Sequence, residues 1–256
     1  MARRQGKTPG TDVPEDGLWW AVAPLADASR HPDIRLAAPE IERAGGYLPG
    51  RPREDFVAGR ILVRALAAEL LGRAMPPARG FRPDELELTQ YCPTCASSRH
   101  GIPRLRAPRN GQSFSLSYAR TAGWLLLGLA PANWRIGVDL ADLNDPAFAP
   151  GDGDSEFEDF VYAPGELAEL EALPADRRQR RRAQWWALKE AVAKAAGEGI
   201  AGSGGIPVVA GPERHLLLRS PGTRAMDLGP GTPDTLGNVL PGDLVGSIVW
   251  VPGGTA

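Results

Sequence analysis

The chain has 256 residues, 43% of them apolar and 23% charged, and a net charge of −2. That length and apolar share can bury one large core or two small ones, and the near-neutral balance gives no sign of general affinity for nucleic acid. No apolar run is long enough for a membrane span, the start lacks a signal-peptide hydrophobic stretch, and the 2 cysteines do not make a disulfide framework. A soluble cytoplasmic protein is the expectation.

Residues 1–17 are polar with Pro and Gly and read as a mobile leader. Leu18 to Pro24, carrying Trp19 and Trp20, is a strand candidate. From Glu54 to Leu71 the apolar residues Phe56, Val57, Ile61, Leu66 and Leu70 recur at helical intervals. Pro76 to Gly111 is broken by Pro, Gly and Arg and reads as loop. Within it Cys92, Cys95 and His100 offer zinc-type ligands at tight spacing, one short of a closed tetrahedral site. Ordinary loop cysteines are the plainer interpretation. Ser113 to Tyr118 alternates serine with Phe114, Leu116 and Tyr118, the pattern of a half-buried strand.

Gly123 to Ala130 and Trp134 to Ala141 are apolar, β-leaning runs joined by Pro131-Ala132-Asn133, which suggests a hairpin. In the second run Ile136, Val138 and Leu140 alternate with Gly137, Asp139 and Ala141, so Asp139 leaves the strand opposite the apolar face. Aspartate is a poor strand former, and Gly137 beside it leaves that face open to an approaching group. Ala149 to Ser155 is an acidic loop. Its Asp152-Gly153-Asp154 lacks the full calcium-loop pattern.

Short helices are expected around Phe157 to Val161 and Gly165 to Leu173. A long one should run from Arg177 to Ala196, free of Pro and Gly until Gly197 supplies a stop. At about 100° per residue Trp185, Leu188, Val192, Ala195 and Ala196 form its apolar stripe. Glu190 and Lys194 lie off that stripe, one turn apart. Taken alone they could be an exposed ion pair worth roughly 0.2–0.5 kcal/mol. The basic run Arg177 to Arg182 fits a solvated helix start or a dock for an acidic partner helix. Ile206 to Ala210, Arg214 to Ser220 and Asp243 to Val251 read as antiparallel strands, with an irregular stretch from Pro221 to Pro241. The sum is an α+β fold in two similar, pseudo-duplicated halves, 18–132 and 133–256, with mostly antiparallel strands packed on helices.

Gly137-Val138-Asp139 followed by Trp186-Ala187-Leu188-Lys189-Glu190-Ala191-Val192-Ala193-Lys194 resembles the paired signature of the 4'-phosphopantetheinyl transferases. The nearest subgroup is the long, monomeric, carrier-protein-activating Sfp type. Upstream, Arg53, Gly59, Arg60 and Arg64 stand at familiar places in its early helix. His100-Gly101-Ile102-Pro103 is similar to its H-G-K-P turn, and Phe114-Ser115-Leu116-Ser117-Tyr118 to its serine-rich strand.

The resemblance implies transfer of the phosphopantetheine arm of coenzyme A to a serine of an acyl or peptidyl carrier protein, with adenosine 3',5'-bisphosphate released. It implies that Asp139 and Glu190 hold Mg²⁺, that Glu190 is the base, and that Lys194 receives the departing bisphosphate. Arg53, Arg60, His100, Ser117, Tyr118, Lys189 and Lys194 would contact coenzyme A at the junction of the halves. The chain departs from the family at Ile102, where a lysine is usual, at Tyr118, where a histidine is usual, and at Ala141, where many members carry a second acid. Those departures also fit a non-catalytic module that binds coenzyme A or a carrier protein.

Overall fold

The computed structural model describes residues 17–75, 80–92, 95–98, 101–108, 111–149, 155–197, 199–200 and 205–252. Strands β1 (Trp19–Pro24), β2 (Glu87–Tyr91), β3 (Ile102–Ala107), β4 (Gln112–Thr121) and β5 (Trp124–Pro131) form an antiparallel sheet in the order β1-β5-β4-β3-β2. Strands β6 (Trp134–Asp142), β7 (Arg224–Leu228) and β8 (Leu244–Pro252) form a second antiparallel sheet in the order β6-β8-β7. The helices are α1 (Ala38–Gly45), α2 (Arg51–Ala74), α3 (Ser155–Val161), α4 (Pro164–Glu171), α5 (Ala175–Ala196) and α6 (Leu216–Arg219).

These elements stack in four layers. Leu62, Leu66 and Leu70 of α2 pack on Leu105, Leu116, Leu127 and Leu129 from one face of the first sheet. Its other face, with Trp20, Val22 and Leu126, meets Ile136, Val138, Leu140, Ile248 and Trp250 of the second sheet. The far face of the second sheet carries Val249 and Val251 under Trp185, Ala191, Val192 and Ala195 of α5. Successive strand residues point to opposite faces, so β5, covered on both, needs the unbroken apolar run Leu125 to Leu127.

One edge strand of each sheet, β6 and β1, is satisfied by side chains from distant parts of the chain. On β6 the Val138 N–H donates to Ser117 Oγ at 3.0 Å, and Ser115 Oγ bonds Trp134 O. On β1 the Val22 N–H donates to Asp234 Oδ2 at 2.8 Å, while Thr235 exchanges bonds with the backbone of Trp20. An unpaired strand edge is a liability; here one edge of each sheet becomes a seam with a neighbouring segment of the chain.

The α+β class and the antiparallel strands agree with expectation, and several local expectations do not. β5 and β6 are not a hairpin: the chain turns at 132–133 and changes sheet. The span from 76 to 111 holds edge strand β2, whose exposed alternate positions hide the apolar rhythm, and the inner strand β3 beside it. Ile206 to Ala210 is not a strand, Arg214 to Ser220 contains α6, and β7 lies inside the stretch expected to be irregular. The sheets differ in strand number, five against three. Residues 1–16 of the expected leader and Asp152 to Asp154 lie outside the described residues.

Candidate functional site

The site is built where α5 crosses β6. Gly137 does not open its face to a ligand, as its small size suggests; it admits the helix itself. A Cβ at 137 would lie 1.9 Å from Ala191 O and 2.6 Å from Ala195 N. Backbone-to-backbone contact at this point brings the α5 flank bearing Glu190 and Lys194 beside Asp139. Lys194 Nζ donates to Asp139 Oδ1 at 2.6 Å and to Val138 O at 3.1 Å. Val138 is thus held through both of its backbone polar groups, its N–H by Ser117 and its carbonyl by Lys194.

Asp139 is buried, and burial pushes its carboxyl above the usual range against the opposing charge and hydrogen bond of Lys194 and the Leu140 N–H. Burial likewise raises the half-buried Glu190; Lys194 opposes the rise and the Asp139 charge adds to it. Glu190 therefore feels the Asp139 charge, while the Lys194 ammonium opposes the rise in both carboxyls. An acid whose affinity for a proton is raised makes a better general base.

The helix ends at Gly197 in the left-handed region, φ 85°, where a Cβ would come within 2.7 Å of Ile102 Cδ1. Ile102 thus packs as an apolar stop against the end of α5, at the position where the resemblance leads one to expect a lysine. Ala141 is buried with Ala183, Ala187 and Val245, a packing position with no acid.

Other expected contacts are placed elsewhere. Lys189 has 0% exposure; its Nζ donates to Glu166 Oε2 at 2.6 Å and to Pro207 O at 2.7 Å. A side chain so enclosed fits a phosphate role poorly: it points into the helical layer, away from Lys194. Glu166 also accepts from the N–H groups of Ala163, Val209 and Ala210. Sequence reasoning passed over Glu166, although its position three residues after Ala163 is a helix-start signal. Arg53 spends its Nη2 on Tyr47 O at 2.9 Å and Gly45 O at 3.4 Å, tying the end of α1. Ser117 is buried and serves β6.

Tyr118 faces the other side of β4, toward α2, where its ring lies 5.5 Å from the Arg60 guanidinium carbon; Phe56 lies 5.3 Å from the same carbon. Arg60 is 4% exposed and 3.7 Å from Glu40, which pairs at 2.8 Å with Arg64. Desolvation lowers the Arg60 pKa, and its Nε lacks a hydrogen-bond partner. It lines a cavity of 770 Å³ with Glu40, Arg43, Tyr47, Thr89 and Gln90. That cavity lies on the α2 side of the first sheet, not beside Asp139. His100 lies outside the described residues.

Asp139 and Glu190 are hard oxygen donors, and the Val138 carbonyl adds another. Magnesium takes one or two carboxylates and completes its shell with water and phosphate oxygens, so this donor set fits it. Among the described residues no group of at least 3 His, Cys, Asp or Glu is placed to hold a metal. Cys92 is half-buried and Cys95 exposed, with no disulfide between them. No described helix is long and apolar enough to cross a membrane.

Residues 135–216, which span β6, α4, α5 and the loop bound by Glu166, match the family model described as the 4'-phosphopantetheinyl transferase superfamily. The chain is similar to the Synechocystis sp. protein slr0495, which bears a provisional 4'-phosphopantetheinyl transferase name, at 29% identity over 65% of this chain and 59% of that one. It is also similar to the 4'-phosphopantetheinyl transferase HetI of Nostoc sp., at 28% identity over 72% of this chain and 69% of that one. The matched stretch thus spans less than two thirds of slr0495. The family pattern falls on the strand and helix that bring Asp139 and Lys194 together, with Glu190 on the same helix, so over residues 135–216 the chain is similar to the 4'-phosphopantetheinyl transferase superfamily.

Proposed function

We propose that the protein transfers the 4'-phosphopantetheine arm of coenzyme A to a serine hydroxyl of an acyl or peptidyl carrier protein. The observation that carries this is the convergence of Asp139, Glu190 and Lys194 from distant parts of the chain. In the reaction the serine oxygen forms a bond to the phosphorus bearing the pantetheine arm. The bond from that phosphorus to the 5'-phosphate oxygen of the nucleotide breaks, and adenosine 3',5'-bisphosphate leaves. Glu190, a base strengthened by burial, takes the serine proton directly or through water. Lys194 neutralises charge on the departing phosphate. Asp139 and Glu190 would hold Mg²⁺, which when bound supplies charge neutralisation across the diphosphate. The exposed Arg177, Arg180 and Arg181 at the start of α5 suit an acidic carrier helix.

The test is incubation with coenzyme A, Mg²⁺ and apo carrier proteins of fatty-acid, polyketide and peptide synthases. Transfer adds one phosphopantetheine arm to the carrier mass, and a Glu190→Gln variant abolishes the gain while remaining folded. A second reading, a module that binds coenzyme A without turnover, draws on Ile102 packed against the α5 stop and Ala141 buried where an acid could stand. Coenzyme A binding with no mass gain on any of those carriers would select it.

A further inference from the structure

We infer that the Lys194 ammonium competes with a divalent cation for Asp139, so that metal affinity is low in the protein alone and rises when a diphosphate draws the lysine away. This deepens the transferase reading and rests on its metal site.

Lys194 Nζ contacts Asp139 Oδ1 at 2.6 Å and Val138 O at 3.1 Å. Both are hard oxygens of the kind Mg²⁺ or Mn²⁺ ligates, at about 2.0–2.1 Å for Mg²⁺. An ammonium and a dication cannot share those atoms at such distances without strong repulsion. One of them must give way, and the structure says which can. The Asp139 side chain is 11% exposed and short, fixed to a strand paired with β8 across its whole length. The Lys194 side chain is 31% exposed, on a flexible stem that can turn to solvent.

The backbone offers no alternative route. Ala191 and Ala195 press directly on Gly137, so α5 cannot slide outward to separate Lys194 from Asp139 without breaking that contact. Charge sharpens the competition. Lys194 cancels one of the negative charges that Asp139 and Glu190 offer, and position 141 is an alanine with no carboxylate to add. A diphosphate arriving beside α5 gives the ammonium a stronger anionic partner and releases Asp139. Linkage then requires that metal and diphosphate each tighten the other's binding.

The test is Mn²⁺ titration by calorimetry and electron paramagnetic resonance on the full chain, without coenzyme A, for the wild type, Lys194→Gln and Lys194→Met. The glutamine keeps a donor for Val138 O while removing the charge; circular dichroism checks that each variant is folded. Both variants are expected to bind Mn²⁺ at least about tenfold more tightly than the wild type, a modest result for removing a contact charge. Coenzyme A should tighten Mn²⁺ binding in the wild type more than in Lys194→Gln. Equal or weaker Mn²⁺ binding by the variants, or no binding by any form, overturns the competition. Wild-type transfer activity, measured separately as carrier mass gain, shows whether the transferase reading survives that outcome.

Discussion

Gly137 and Ala191 touch main chain to main chain: a Cβ on the glycine would sit 1.9 Å from the alanine carbonyl oxygen. Overpacking in a core ordinarily costs about 1–3 kcal/mol, and here the obstacle is helix backbone that cannot rotate aside. Gly137→Ala is expected to destabilise the fold by at least about 2 kcal/mol and to move Glu190 and Lys194 off Asp139. Urea unfolding and carrier modification should fall together. Full activity at a lowered unfolding midpoint would show that the contact serves stability alone.

Lys189 is the immediate neighbour of Glu190 yet serves the opposite side of α5. Removing one partner of a buried ion pair costs about 3–5 kcal/mol, and Glu166 retains backbone donors from Ala163, Val209 and Ala210, which places Lys189→Met toward the lower end. Lys189→Arg should not rescue it, because a forked guanidinium does not fit a pocket closed around one ammonium. The urea midpoint is the decisive quantity. An unchanged midpoint with a raised KM for coenzyme A would restore the phosphate role implied by the family resemblance.

Ser117→Ala removes the acceptor of the Val138 N–H on an otherwise open strand edge. An unsatisfied buried donor costs about 1–3 kcal/mol, and the residue that loses its anchor, Val138, immediately precedes Asp139. Lower stability and a slower turnover are expected, with coenzyme A affinity less affected. Loss of affinity at unchanged stability would instead put the hydroxyl on the ligand.

How far the sequence was readable depended on what signalled each feature. Asp139 stood out because aspartate is out of place in a strand, whereas Glu190 and Lys194, off the apolar stripe of α5, gained meaning only with the paired family signature. The long helices α2 and α5 were legible from uninterrupted helical residues and the Gly197 stop. β2 and β3 were not, because edge strand β2 exposes alternate positions and the inner strand β3 carries Pro103, Arg104 and Arg106. The sheet change at 132–133 was illegible for another reason: a tight turn between apolar strands looks the same whether the second strand folds back or leaves. The burial of Lys189 was hidden as well, since its partners, Glu166 and the Pro207 carbonyl, lie 23 and 18 residues away.

Arg60 supplies a prediction about which phosphate is held where. Its guanidinium lies on the α2 side of β4, flanked by Phe56 and Tyr118, whereas Ser117 on the opposite side reaches Val138 beside Asp139. A diphosphate at Asp139 and Lys194 therefore leaves the Arg60 cavity for a different anion, and coenzyme A has one further phosphate, on the ribose 3' oxygen. Charge-assisted hydrogen bonds are worth about 1.5–3 kcal/mol, so Arg60→Met should weaken coenzyme A binding about 10- to 100-fold. Glu40 keeps Arg64 as its partner, which limits the cost to folding. Dephospho-coenzyme A, lacking the 3'-phosphate, should bind the variant and the wild type alike in calorimetry. Equal weakening of both ligands would mean that Arg60 shapes the protein around the site and does not touch that phosphate.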